Sequence, residues 1–398
     1  MAAARSYRKV LALAPSFAEA HNSLGSILQA RGESDQAIAQ FRAAVEAEPG
    51  FAAAYVNLGY VLQYQRRNLG EALQNYDRAL AINPQIPEAH FNKSLVLLSQ
   101  GRYLEGWHEY EWRWRSPEAP PKPIFAQPEW DGSLLAGRSI LIFAEQGYGD
   151  VIQFVRYVPL VAARGGRVIV SCEPALKRVL ESVAGVSCVV VNGEALPEFE
   201  VQLPIVSLPR MFGTTLETIP AQVPYVRVQD ALVEKWRAAM SDGGRGPKIG
   251  LVWASQPLHR IAPLKSATLA AFAPLGSVAG ARFYSLQKGE AAKEASASVA
   301  PMRIADLSSG IEDFADTAAC IANLDLTISV DTSVAHLAGA MGKPVWTLLP
   351  YAPDWRWHPD QDSSAWYPTM RLYKQDRPGD WATVIARLVN DLLATRFG

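Results

Sequence analysis

Cysteine is scarce in this 398-residue chain, with only Cys172, Cys188 and Cys320. They are too few and too scattered for a disulfide framework or a zinc site. The simplest compartment is a reducing, cytoplasmic one. An excess of either charge is also lacking: 38 Lys and Arg face 39 Asp and Glu, for a formal charge of -1. Nothing therefore draws the whole chain onto a nucleic acid or an anionic membrane. No apolar run approaches the roughly 18–20 residues of a membrane helix, so no membrane insertion is expected. The N-terminal MAAARSYRKVLALAP has neither the long apolar core nor the cleavage site of a signal peptide. Disorder is excluded by 49% hydrophobic and 19% charged residues. At about 150 residues per domain, two or three domains are expected.

What the chain does have begins with internal repetition. Pro15, Pro49 and Pro84 are spaced by 34 and 35 residues, and Ala37, Ala72 and Gly106 by 35 and 34. Phe41, Tyr76 and Tyr110 keep the same step, Asn22, Asn57 and Asn92 recur at 35 and 35, and Leu24-Gly25 recurs as Leu58-Gly59. The pattern resembles the tetratricopeptide repeat, a helix–turn–helix of 34 residues. The extra residue falls near Arg66–Asn68. Small residues let the two helices approach, the aromatic fills the groove, and Pro ends the second helix. The fourth repeat drifts, with Lys93-Ser94 in place of Leu-Gly and no closing Pro, as a capping repeat would. Tyr7–Pro15 matches only the second helix of a repeat. The run from Trp107 to Arg115 reads as packing between the repeats and the neighbouring domain, in preference to a ligand platform.

These repeats occupy residues 1–115. Residues 116–137 hold Pro117, Pro120, Pro121, Pro123 and Pro128 and read as a stiff connector. Beyond it, short apolar runs alternate with helical stretches, which implies parallel sheets. Strands are expected at 139–144, 167–171, 187–191 and 199–203, with helices over 151–163 and 174–183. After Gly246 the unit recurs, with strands at 249–253, 282–286, 326–330 and 344–349. Its helices are expected over 268–274, 312–322, 333–341 and 382–395. The fold class is thus α + α/β, with helical repeats followed by tandem Rossmann-like domains at 138–240 and 246–398. The last helix is a candidate to pack back across the two. Ligands sit at strand carboxyl ends in such sheets, so loops of both units should face a shared cleft.

Several strand-end loops carry candidate chemistry. In Glu145-Gln146-Gly147-Tyr148-Gly149-Asp150, the glycines Gly147 and Gly149 permit close backbone approach at a helix start, with Gln146 beside them. The loop lacks the third glycine of a dinucleotide fingerprint and the Gly-Lys-Ser/Thr of a Walker A loop. Asp150 fits two roles equally, a general base or a helix cap. In Ser329–His336, a strand, the hydroxyls of Thr332 and Ser333 and a helix start form the layout of a phosphate site. His336, one turn on, is either packed or functional. Trp253 ends a strand that leads to His259, Arg260 and Lys265, cations suited to a diphosphate or simply solvated. Leu286-Gln287-Lys288-Gly289-Glu290 and Asp354-Trp355-Arg356-Trp357 are further strand-end loops.

Taken together, EQGYGD, GLVWAS, SLQKG, the stretch Asp313–Trp346 and PDWRW resemble bacterial tetratricopeptide proteins whose glycosyltransferase domain is similar to heptosyltransferases. The resemblance covers nearly the whole chain. It implies a GT-B fold with the nucleotide-sugar held mainly by the second Rossmann-like domain. It also implies inverting transfer without a metal or other cofactor, in keeping with the missing Asp-x-Asp motif. Asp150 would be the base and Lys265 would hold the donor phosphates. Asp331, Thr332, Ser333 and His336 would form the donor motif, joined by Trp253, Gln287 and Lys288. Gln146, Gly147, Gly149, His259 and Arg260 would line the acceptor side. Heptosyltransferases lack the repeats, so their lipopolysaccharide acceptor does not carry over. A concave repeat surface suits an extended peptide. That implies a protein acceptor, with flagellin-like proteins among the candidates. Two other readings keep the fold: a catalytically silent scaffold that senses sugar nucleotides, and a sugar-nucleotide epimerase.

Overall fold

The computed structural model describes residues 2–116, 119–241, 243–256, 262–296, 301–358 and 361–397. It divides into two compact units, Met1–Pro123 with Asp354–His358, and Ile124–Pro353 with Pro359–Gly398.

The first unit is helical: α1 (Ala2–Leu13), α2 (Ala18–Ala30), α3 (Ser34–Ala47), α4 (Ala52–Arg66), α5 (Leu69–Ile82), α6 (Pro87–Ser99) and α7 (Tyr103–Tyr110). Helices α1, α3 and α5 each end two residues before Pro15, Pro49 or Pro84. The residue before Pro is pushed out of the helical region, and Glu48 (φ -139°, ψ 91°) and Asn83 (φ -138°, ψ 104°) are both extended. The repeating glycines have a steric reason. A Cβ on Gly25 would lie 2.6 Å from the Phe41 ring, and one on Gly59 would lie 2.6 Å from the Tyr76 ring. Leu24, Leu28, Phe41, Leu58, Leu62 and Tyr76 share the resulting core. The inserted residue is absorbed where Arg67 turns left-handed (φ 51°) and the Asn68 N–H bonds the Leu62 carbonyl at 2.9 Å. Trp107 is buried, as its packing role required, and meets Trp355 edge to face at 5.2 Å. Tyr103 and Tyr110 complete the cage around Trp355. The loop 354–357 thus supplies packing for the last repeat.

The second unit holds two parallel sheets. The first contains β1 (Ser139–Phe143), β2 (Arg167–Cys172), β3 (Val186–Val191) and β4 (Val201–Pro204), in the order β3-β2-β1-β4. The second contains β5 (Lys248–Val252), β6 (Arg282–Ser285), β7 (Ile304–Asp306), β8 (Leu326–Val330), β9 (Val345–Leu349) and β10 (Met370–Lys374), in the order β10-β9-β8-β5-β6-β7. The order reverses between β1 and β4 and again between β5 and β8. Such switch points open crevices at the strand carboxyl ends.

The helices of this unit are α8 (Tyr148–Phe154), α9 (Val158–Ala162), α10 (Lys177–Leu180), α11 (Leu208–Met211), α12 (Asp230–Ala239), α13 (Ala262–Lys265), α14 (Phe314–Ala322), α15 (Ser333–Ala340) and α16 (Trp381–Ala394). The helix expected over 151–163 is broken by a 3-10 turn at Val155–Tyr157, before Pro159, whose missing N–H interrupts the ladder. The stretch 268–274 is a 3-10 helix, Leu269–Ser277, with Pro274 inside it. Over 174–183 only one α-turn forms, after a 3-10 turn at Pro174–Leu176.

Domain edges differ from the sequence reading in three places. The connector divides, since the part from Ile124 onward belongs to the second unit, with Trp130 buried against Phe212. Helix α12, placed with the first sheet by sequence, packs on α14, and its one buried residue, Trp236, donates Nε1–H to Asp316 at 2.9 Å. Helix α16 buries Val384, Ile385, Leu388 and Leu392 in the core of the second lobe, with Trp253, Phe272 and Ile328. Among the described residues no helix is long and apolar enough to cross a membrane.

Candidate active site

The loop after β1 turns sharply. Gln146 is left-handed (φ 62°), and the Asp150 carboxylate accepts a hydrogen bond from the Gly147 N–H at 2.9 Å. Gly147, not Asp150, is the N-cap of α8; Asp150 stands at the third helical position and its carboxylate reaches back to cap the Gly147 N–H. The carboxylate stays half-buried at the start of α8, so the cap also fixes where it stands.

The loop after β8 turns in the other lobe. Thr332 is extended (φ -140°, ψ 170°) and leads straight into α15, whose first N–H groups have no intrahelical carbonyl to bond. The Thr332 hydroxyl pairs with Ser329 Oγ at 2.9 Å. Buried Asp331 faces the Lys265 ammonium at 3.6 Å, which ties that lysine to the same turn. His336 is buried, with Nδ1 2.8 Å from the Tyr367 hydroxyl.

The two turns meet. A Cβ on Gly149 would lie 2.8 Å from His336 Cδ2 and 3.4 Å from Nε2. The bare Gly149 backbone of the first lobe thus rests on the ring edge of a second-lobe histidine. Only glycine permits that approach. Helices α8 and α15 pack against each other around it, and Tyr148 meets Phe314 edge to face at 5.2 Å.

Other contacts hold the lobes in place. Arg178 of α10 forms a two-pronged pair with Asp313 (2.6 and 2.7 Å) and also reaches Asp316 at 2.9 Å. Asp313 caps α14 through the Ala315 and Asp316 N–H groups. Burial works against the Asp313 charge, but the Arg178 bond and those backbone donors outweigh it and hold its pKa below the ordinary carboxylate value. Arg178 is raised in turn, chiefly by its bond to Asp313.

Two of the residues expected to contact the donor are engaged within the protein, and a third, Lys288, stays exposed. Trp253 is fully buried in the core of the second lobe. The Gln287 amide is saturated: Oε1 accepts from the Trp253 and Ala254 N–H groups (3.0 and 2.9 Å), and Nε2 donates to the carbonyls of Ala254 and Lys288 (3.0 and 2.9 Å). Gln287 is therefore a clamp on the loop after β5. Lys288 donates to the carbonyls of Ser308 and Ile311, both at 2.8 Å. His259 and Arg260 lie outside the described residues. A cavity of about 550 Å³ opens at the ends of β5 and β6, lined by Ser255, Gln256, Pro263, Ser266, Lys288 and Glu290. Among the described residues, no three His, Cys, Asp or Glu side chains group in a way that could hold a metal ion.

Sequence reasoning passed over Arg156 and Tyr367. The available signal was a lone cation in the apolar run Val151–Leu160.

The tetratricopeptide-repeat profile matches residues 1–50 and 24–62, and a second repeat profile matches residues 62–101. The profile described as glycosyltransferase family 9 (heptosyltransferase) matches residues 287–372, the segment that carries β8, α15 and Tyr367. The chain therefore carries tetratricopeptide repeats and a heptosyltransferase-like glycosyltransferase domain. Protein FlbA of Caulobacter vibrioides is 28% identical over 95% of this chain and 67% of its own length. Among solved structures, a family 9 glycosyltransferase from Veillonella parvula covers 67% of this chain and 99% of its own, at 11% identity and a TM-score of 0.49. An O-GlcNAc transferase from Thermobaculum terrenum covers 98% of this chain and 89% of its own, at 16% identity and a TM-score of 0.32.

Proposed function

We propose that this chain is an inverting, metal-independent glycosyltransferase that moves a sugar from a nucleotide-sugar to a protein side-chain hydroxyl. The observation that carries the reading is the contact of Gly149 with His336, which joins an acidic turn of one sheet to a phosphate-type turn of the other. The acceptor hydroxyl gives its proton to Asp150, and its oxygen forms the bond to the anomeric carbon as the bond to the diphosphate breaks. The electron pair leaves on the diphosphate oxygen. That charge is met by the N–H groups at the start of α15, the Thr332 and Ser333 hydroxyls and the Lys265 ammonium. These fixed positive ends supply the role a metal would otherwise fill, and each well-placed donor contributes about 3–4 kcal/mol to the transition state.

The repeats support a peptide acceptor, since stacked helix pairs present an extended surface. Their face carries Asn22 and Asn57 in register, with Asn57 Nδ2 donating to Asn22 Oδ1 at 2.9 Å. Three cysteines without a disulfide fit a cytoplasmic site of action.

The test is calorimetry and turnover with a panel of ADP-, UDP-, GDP- and CMP-sugars, followed by transfer to Ser/Thr-containing peptides. The reading expects binding of one donor, slow hydrolysis without acceptor and transfer with inverted anomeric configuration. Absence of binding to every donor would favour a scaffold, and turnover of donor into another sugar nucleotide would favour an epimerase.

A further inference from the structure

The buried surroundings of His336 fix more than its place. Its Nδ1 lies 2.8 Å from the Tyr367 hydroxyl, while the Cδ2–Nε2 edge faces Gly149. Tyr367 is fully buried, and its ring fills the space beside Gly339, where a Cβ would come within 2.5 Å of it. Above the ring stands Arg156, with Cζ 4.6 Å from the ring centroid. Arg156 also lies over Tyr225 at 4.8 Å and Trp366 at 5.4 Å.

Arg156 is an unusual cation. It is buried, and the groups recorded around it are backbone carbonyls, a phenol hydroxyl and three aromatic rings. Its donors go to the carbonyls of Gln153 (2.8 Å) and Trp366 (2.6 Å) and to the Tyr225 hydroxyl (2.9 Å). A guanidinium stays charged in proteins, and aromatic faces stabilise it. A permanent cation over a phenol withdraws electron density from it. The hydroxyl becomes a stronger donor and a weaker acceptor. The group beside that hydroxyl is an imidazole nitrogen, which takes either part according to its tautomer.

We propose that Tyr367 and Arg156 are positioning residues that hold His336 as the neutral tautomer protonated on Nε2. Tyr367 donates to Nδ1, and Arg156 biases Tyr367 toward donating. The Nε2–H is then presented, at the edge facing Gly149, as a hydrogen-bond donor to a diphosphate oxygen of the nucleotide-sugar. His336 transfers no proton in this role. The ligand part of the inference rests on the glycosyltransferase reading, while the tautomer part does not. Arg156 comes from the first lobe and Tyr367 and His336 from the second, so the device exists only while the lobes are together.

The experiment is nitrogen NMR of the full chain labelled at its six histidines, with His336→Gln identifying the signal. The expected spectrum shows a protonated Nε2 and a bare, accepting Nδ1. Tyr367→Phe keeps the ring beside Gly339 and removes the donor. It should move the Nδ1 signal and lower kcat roughly tenfold or more, while the unfolding midpoint falls only by what one buried hydrogen bond contributes and the variant stays folded under assay conditions. A wild-type His336 protonated on Nδ1 would overturn the proposal, whatever the variant does. So would a His336 signal unmoved by Tyr367→Phe. If no donor supports transfer, the functional reading fails, and the tautomer is still decided by the wild-type spectrum.

Discussion

Gly149 and His336 approach so closely that a single methyl on the glycine would lie 2.8 Å from the histidine Cδ2. The ring cannot retreat, because Tyr367 holds its other side at 2.8 Å. Gly149→Ala should therefore push the two turns apart. Overpacking of this kind typically costs about 1–3 kcal/mol of stability. Turnover should fall by a larger factor than donor affinity, which steady-state kinetics beside denaturant melts would show.

The repeat glycines allow a paired comparison. A Cβ on Gly59 would strike the Tyr76 ring at 2.6 Å, whereas one on Gly50 would meet nothing within 4 Å. Gly59→Ala should lose about 1–3 kcal/mol in urea unfolding, and Gly50→Ala should stay within about 0.5 kcal/mol of the parent. Equal effects at the two sites would remove the steric account of the repeat.

The Arg178–Asp313 pair gives a pH signature. Asp313 titrates lower when folded than its ordinary 3.8, because Arg178 and two backbone donors outweigh its burial. The stabilisation is complete well above that value. It is lost as the pH falls through 3.8 toward the lower folded pKa. Asp313→Ala should cost about 1 kcal/mol near neutrality from the helix cap alone, and more through the lost pair. The gap between parent and variant should shrink in melts at pH 3. A gap that widened there would reverse the sign of the argument.

Lys265 and Gln287 separate binding from scaffolding. On the proposed reading Lys265→Met should raise the donor Kd by roughly 10–100-fold, and melts run beside it should register the ammonium lost from buried Asp331. Gln287→Leu leaves the Trp253 and Ala254 N–H groups without their acceptor, and should cost at least about 2 kcal/mol of stability.

Much of this fold was legible because its signals are periodic. The 34–35-residue step placed the helix ends, and buried runs such as Ser139–Phe143 and Leu326–Val330 marked central strands. Edge strand β7 and strand β10, with Arg371 and Lys374 in it, lack that apolar continuity and escaped notice. At the site, Thr332, Ser333 and His336 stood out because hydroxyls follow a strand directly. The roles given to Trp253, Gln287 and Lys288 rested on strand-end position and the family resemblance. That position does not fix whether a side chain enters the core, clamps a loop or faces the cleft. Tyr367 lies 31 residues from His336, and no local pattern links them.

The central claim is that Asp150 takes a proton from the acceptor opposite a diphosphate cradle. Asp150→Asn tests it most directly, since the amide oxygen can still accept from the Gly147 N–H and keep the turn. Calorimetry with the donor, run beside single-turnover transfer, should find donor affinity unchanged and the transfer rate lowered by about 10²–10⁴-fold. A variant that transfers sugar at the parent rate would contradict the account.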